Sequence, residues 1–126
     1  MTTQHPIDQL PAALFPTIPV CWATMTDPET ENALDELEDW VFWVVDRYAL
    51  DHRTVPPCWP EHGALIEDLS ALRVAWLAAF GITGRPEAPR EWHAQFAAAR
   101  QRMTEAASLT GCRPSEHRAG HLAALH

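Results

Sequence analysis

Between Pro56 and Phe80 the chain reads PPCWPEHGALIEDLSALRVAWLAAF, and this stretch limits the fold more than any other. Each proline fixes φ and removes a backbone donor, so Pro56, Pro57 and Pro60 make Asp51 to Pro60 a loop. Behind them Leu65, Leu69, Leu72, Trp76 and Phe80 recur at the three- and four-residue spacing of one helical face. Gly81, Gly84 and Pro86 then end the helix, which is predicted over about 61–80.

The same period recurs on either side. Asp27 suits a helix cap, Pro28 the first helical position, and Glu29 and Glu31 the positive end of the helix dipole. Leu34, Leu37, Val41, Val44 and Tyr48 continue as an apolar stripe, predicting a first helix over about 28–50. Within it Trp40-Val-Phe-Trp-Val-Val45 is apolar nearly all round and would pass for a strand in isolation. The acidic lead-in and the continued period favour helix, which must then be central or covered by the N-terminal arm or a second subunit. Trp92, Phe96, Ala99, Met103 and Ala106 mark a third helix over about 88–110. Three such helices on short connections predict an all-α, up-down-up three-helix bundle over 27–112. Prolines at 6, 11, 16 and 19 make residues 1–26 a Pro-rich N-terminal arm whose second half lies against the bundle. Residues 113–126 form a tail or a short C-terminal helix opening at Pro114.

Composition narrows the partners. A chain of 126 residues with 47% hydrophobic content closes one core. Acids outnumber bases seventeen to nine, every base is arginine, and the net charge is −8. Direct nucleic-acid binding and an anionic membrane surface are therefore disfavoured, while a basic protein partner is not. The start, MTTQHPIDQL, shows no signal-peptide pattern, and no apolar run approaches the ~18 residues of a membrane span. Three cysteines without an export signal predict thiols in a reducing cytoplasm rather than a disulfide framework.

Two places read alike. Cys58-Trp-Pro-Glu-His62 and Cys112-Arg-Pro-Ser-Glu-His117 each set a cysteine two residues before a proline and a histidine within the turn that follows. The start of the second helix and the end of the third share one end of the bundle. Cys58, His62, Cys112 and His117 can thus converge as a Cys2His2 zinc set. The alternative is small core cysteines with solvated histidines. His52, His93 and His121 stand as substitutes for any one ligand, and Cys21 is expected beside Trp22 in the packing. Of six tryptophans, Trp76 and Trp92 fall on the apolar stripes and belong to the core. Trp40, Trp43 and Trp59 exceed what a three-helix core readily holds, which points to a protein interface there or to cover by the arm. The cluster Asp27, Glu29, Glu31, Asp35, Glu36, Glu38 and Asp39 reads as a solvated face or as a mimic of nucleic-acid phosphates. A phosphate loop, a nucleophile elbow and a His-Glu-x-x-His motif are all absent, and a Cys58–His62 dyad is the sole catalytic candidate, so no enzyme is expected.

The block WVVDRYALDHRTVPPCWPEHGALIEDLSALRVAW, followed by EWHAQF and a late Gly-Cys, resembles a group of small uncharacterised proteins of actinobacterial plasmids and integrative elements. The resemblance spans roughly residues 38–117. It implies a mobile genetic element as the setting and no particular activity. The expected function is a non-enzymatic, cytoplasmic accessory or regulatory factor that binds a protein partner or itself. Two other expectations stand beside it: a zinc-stabilised helical domain, and an acidic inhibitor of a DNA-binding enzyme.

Overall fold

A computed structural model describes residues 18–112. The described chain is helical without strands: α1 (Asp27–Arg47), α2 (Gly63–Ala79) and α3 (Ala88–Thr110) form a three-helix bundle. Short 3-10 turns at Trp22–Thr24 and Trp59–Glu61 precede α1 and α2. Both terminal segments, including the expected short helix after Pro114, lie outside the described residues.

The first helix is capped by Thr26 rather than Asp27. The Glu29 N–H donates to the Thr26 hydroxyl at 3.4 Å and the Thr26 N–H donates to the Glu29 carboxylate at 2.9 Å, a reciprocal capping box. At its other end α1 stops three residues earlier than the apolar period suggests. Ala49 turns left-handed at φ 52, and the Leu50 N–H reaches back to the Val45 carbonyl at 3.0 Å. This is the Schellman stop, with alanine where glycine is usual and with Leu50 buried as its apolar contact.

Helices α2 and α3 are antiparallel neighbours. The buried Trp92 indole N–H donates to the Leu72 carbonyl at 3.0 Å, and Arg102 pairs with Asp68 at 3.0 Å. Gly84 lets the turn between them close, since a Cβ there would sit 2.4 Å from the Ala79 carbonyl oxygen.

The helix directions differ from the expected up-down-up order. Glu36 and Asp39 face Arg73, Trp43 packs on Trp76 at 4.8 Å, and both Tyr48 and Phe80 reach the His93 ring. Thus α1 and α2 point the same way and end together where α3 begins: up, up, down. Segment 48–62 must therefore run back along the bundle, and it does so as bonded structure. Asp51 accepts three N–H groups, from Arg53, Thr54 and Val55. Thr54 donates to Thr104 on α3 at 3.1 Å, because the Thr104 hydroxyl has already given its proton to the Arg100 carbonyl.

The core is aromatic. Trp40, Trp59, Trp76, Trp92 and Phe96 are buried among Leu37, Val44, Leu65, Leu69, Leu77 and Met103. Burying one such ring removes on the order of 200 Å² from water, at most about 5 kcal/mol of transfer free energy. Trp22 packs on this core from the segment before α1.

Candidate metal centre

The centre lies where α2 begins and α3 ends, and each side is built by local bonding. The Trp59 N–H donates to the Pro56 carbonyl at 2.9 Å, Glu61 to Cys58 at 2.9 Å, and His62 to Trp59 at 3.0 Å. Prolines 56, 57 and 60 stiffen that turn and place Cys58 and His62 one turn apart on it. Pro60 sits in this 3-10 turn, and α2 starts at Gly63, two residues later than the apolar period suggests. His62 is consequently the last extended residue, φ −126 and ψ 107, and its side chain does not cap α2. The ring turns inward, 4% exposed.

Across from it, α3 ends at Gly111 with φ 71, the left-handed stop glycine favours. The buried Thr110 hydroxyl donates to the Ala107 carbonyl at 2.7 Å and accepts the Cys112 N–H at 3.0 Å. That pair of bonds folds Cys112 back over the helix end toward His62.

His62 Nε2 lies 3.5 Å from Cys58 Sγ and 3.6 Å from Cys112 Sγ. All three ligand atoms fall within 4.8 Å of one another. A tetrahedral zinc with Zn–S near 2.3 Å and Zn–N near 2.0–2.1 Å has sulfur–nitrogen edges of about 3.6 Å, so both distances fit. One imidazole nitrogen carries a single proton or a single lone pair and cannot satisfy two thiols equally. A divalent cation at the middle would satisfy all three groups. Burial first, and the neighbouring Cys112 thiol second, push the Cys58 thiol up to about 11. That is what two thiols confined together do without a positive charge between them, and a cation would reverse it.

The structure therefore brings together three of the four expected ligands, and His117 lies outside the described residues, as does the substitute His121. His93 sits at the opposite end of the bundle with both nitrogens engaged. His52 lines a cleft of about 270 Å³ beside Cys112, together with Pro56 and Thr104, but its ring is not among the converging ligand atoms. Cys21, expected in the packing beside Trp22, is exposed. Thr110 was not anticipated; a threonine directly before Gly-Cys is its only mark in the sequence.

The tryptophans expected at an interface are placed differently. Trp40 is 0% exposed and Trp59 6%, so neither offers a surface to a partner in this fold. Trp43 is half-buried against Trp76 and Tyr48. The reason is the crossover: Val55 to Pro60 returns along α1 and covers a side of it that a short connection would have left open. Phe42 is the residue of this apolar run that stays outside, 76% exposed. Among the described residues no helix is long and apolar enough to cross a membrane. No protein-family model matches the chain and no curated protein or solved structure is significantly similar to it, so the centre stands on its own geometry.

Proposed function

We propose that this chain is a non-enzymatic, protein-binding helical module whose α2–α3 end is closed by zinc held on Cys58, His62 and Cys112. The convergence of two sulfurs and one buried imidazole nitrogen within 4.8 Å carries the metal reading. His117 is the natural fourth ligand from the second Cys-Pro-His motif. The ion would supply folding energy, because such a site exists only once the ends of α2 and α3 have met. A structural part suits its position at helix ends behind a proline-braced turn better than a catalytic one. Supporting the binding part are the large exposed Phe42 and the acidic face around it. In the setting that the sequence resemblance implies, the module serves a mobile element as an accessory or regulatory factor in the cytoplasm.

Elemental mass spectrometry on untagged protein purified without chelator tests the metal. About one zinc per chain is expected, falling to trace levels in Cys112→Ser. Stoichiometric protein without metal, and with an unchanged melting curve in Cys112→Ser, would overturn it.

A further inference from the structure

One side of α1 is only partly covered by the crossover, and Phe42 stays outside. Its wall of Val41, Phe42 and Val45 faces Val55, Pro57 and Trp59 of the crossover across an apolar cleft of about 360 Å³, with Glu38 at the rim. At 100° per residue, Glu31, Asp35, Glu38 and Asp46 lie within about 40° of Phe42 around the helix. Among the described residues α1 itself carries one cation, Arg47, about 140° from Phe42 around the helix, and Arg73 lies toward Glu36 and Asp39, on the side against α2. None of the four carboxylates has an ion pair among the described residues, whose salt bridges are those of Arg85 and Arg102. An exposed aromatic ring, an apolar cleft and four unneutralised acids thus coincide on one helix face. Glu29, by contrast, is occupied with its cap, and Glu36 and Asp39 lie in the field of Arg73.

We propose that this cleft docks a cationic amphipathic segment of a partner protein, with its apolar side against Phe42, Val45 and Pro57 and its Lys or Arg side chains against Glu31, Asp35, Glu38 and Asp46. The mode is a helix face laid into a groove, where apolar anchors give affinity and flanking charge gives orientation and speed of association. This rests on the protein-binding reading above and supplies the partner's chemistry.

The test titrates the full, zinc-loaded chain with two synthetic peptides carrying leucines at helical spacing, one filled with lysine and the other with glutamate. Binding is measured by calorimetry and mapped by backbone NMR. The lysine peptide should bind and move resonances at Phe42, Val45 and Val55, while the glutamate peptide should not bind. Phe42→Asp should weaken the lysine peptide about tenfold or more, even though it adds negative charge. Ile82→Asp, at a residue as exposed (74%) but elsewhere, should leave it unchanged. Reversing the rim in Asp35→Lys/Glu38→Lys should weaken the lysine peptide and admit the glutamate one, a result that does not depend on Phe42.

Unchanged or tighter binding in Phe42→Asp would mean diffuse attraction to an acidic protein and would overturn the cleft. So would a wild-type dimer that Phe42→Asp dissolves, which assigns the face to a second copy. Movement of the Phe42 and Trp59 signals by Phe15→Ser without peptide would assign it to the chain's own N-terminal segment. A native partner retained equally by wild type and Phe42→Asp would overturn the cleft and leave the binding module standing. If no partner and no peptide bind, both readings fail.

Discussion

The bundle carries a histidine at each end, and the two are used in opposite ways. His62 is buried between two sulfurs and is joined to them through the same nitrogen. His93 is exposed, and its two nitrogens have separate partners: Nδ1 lies 2.7 Å from the Pro89 carbonyl, and Nε2 lies 2.8 Å from the Tyr48 hydroxyl. A carbonyl can only accept, so Nδ1 bears the proton and Nε2 accepts from tyrosine. The tautomer at this end is decided by oxygen partners, and the ring serves as a joint among Tyr48, Phe80 and Trp92. Residue type says little about a histidine's role. Its neighbours assign it.

The comparison breaks most decisively at the sulfur end. Cys112→Ser should remove bound zinc and lower the melting temperature by more than 10 °C, since losing even a few kcal/mol shifts a domain of this size by about 4 °C or more per kcal/mol. His93→Ala should leave the zinc content at wild-type level. If His93→Ala emptied the site, the division between the ends would be wrong. Next in size is Trp92→Phe at the aromatic end, which loses the bond to Leu72 and leaves a void. A cost of about 2 kcal/mol in denaturant unfolding is expected, with zinc retained.

Chelated protein should sharpen the contrast through pH. The Cys58 thiol sits at about 11 in the folded state against an ordinary value of 9.0, so the folded chain holds that proton more tightly than the unfolded one. This part of the stability is complete below pH 9 and is lost as pH rises toward 11. Zinc binding displaces the same protons, so zinc affinity should rise with pH. Denaturation of metal-free protein followed between pH 8 and 11 checks the first part, and a zinc titration at two pH values the second. Tyr48→Phe should cost about 1 kcal/mol and leave zinc untouched. Smallest of all, Ala49→Gly relieves a left-handed alanine and should raise stability by about 0.5 kcal/mol.

Much of this was legible in the sequence, and the gaps have physical causes. The apolar period placed all three helices because burial of one face is a local signal repeated at every turn. Helix direction has no such signal. A proline-rich connection such as 48–62 can turn the chain or carry it back, and what decided was that Tyr48 belongs beside His93 and Phe96, far away in sequence. The same return path buried Trp59 and walled one side of α1, which is why residues expected at a surface are in the core. The Cys-Pro-His pairs found Cys58, His62 and Cys112 because both motifs sit at helix ends that any antiparallel α2–α3 pairing joins. Thr110 was missed because a buried hydroxyl pinning a backbone N–H looks, in sequence, like any helical threonine. The Schellman stop was missed because Ala49 stands where glycine would have announced it.

The crossover also sets an order of assembly. Cys58 and Cys112 bracket α2 and α3, so a metal bound there would latch a hairpin formed from contacts near in sequence. The first helix must instead fold its whole following segment back before its rings meet α3, at a larger cost in loop-closure entropy. The α2–α3 hairpin is thus expected to form first, and α1 to dock last and leave first. The helix that carries Phe42 is accordingly the one whose stability a bound partner can raise most.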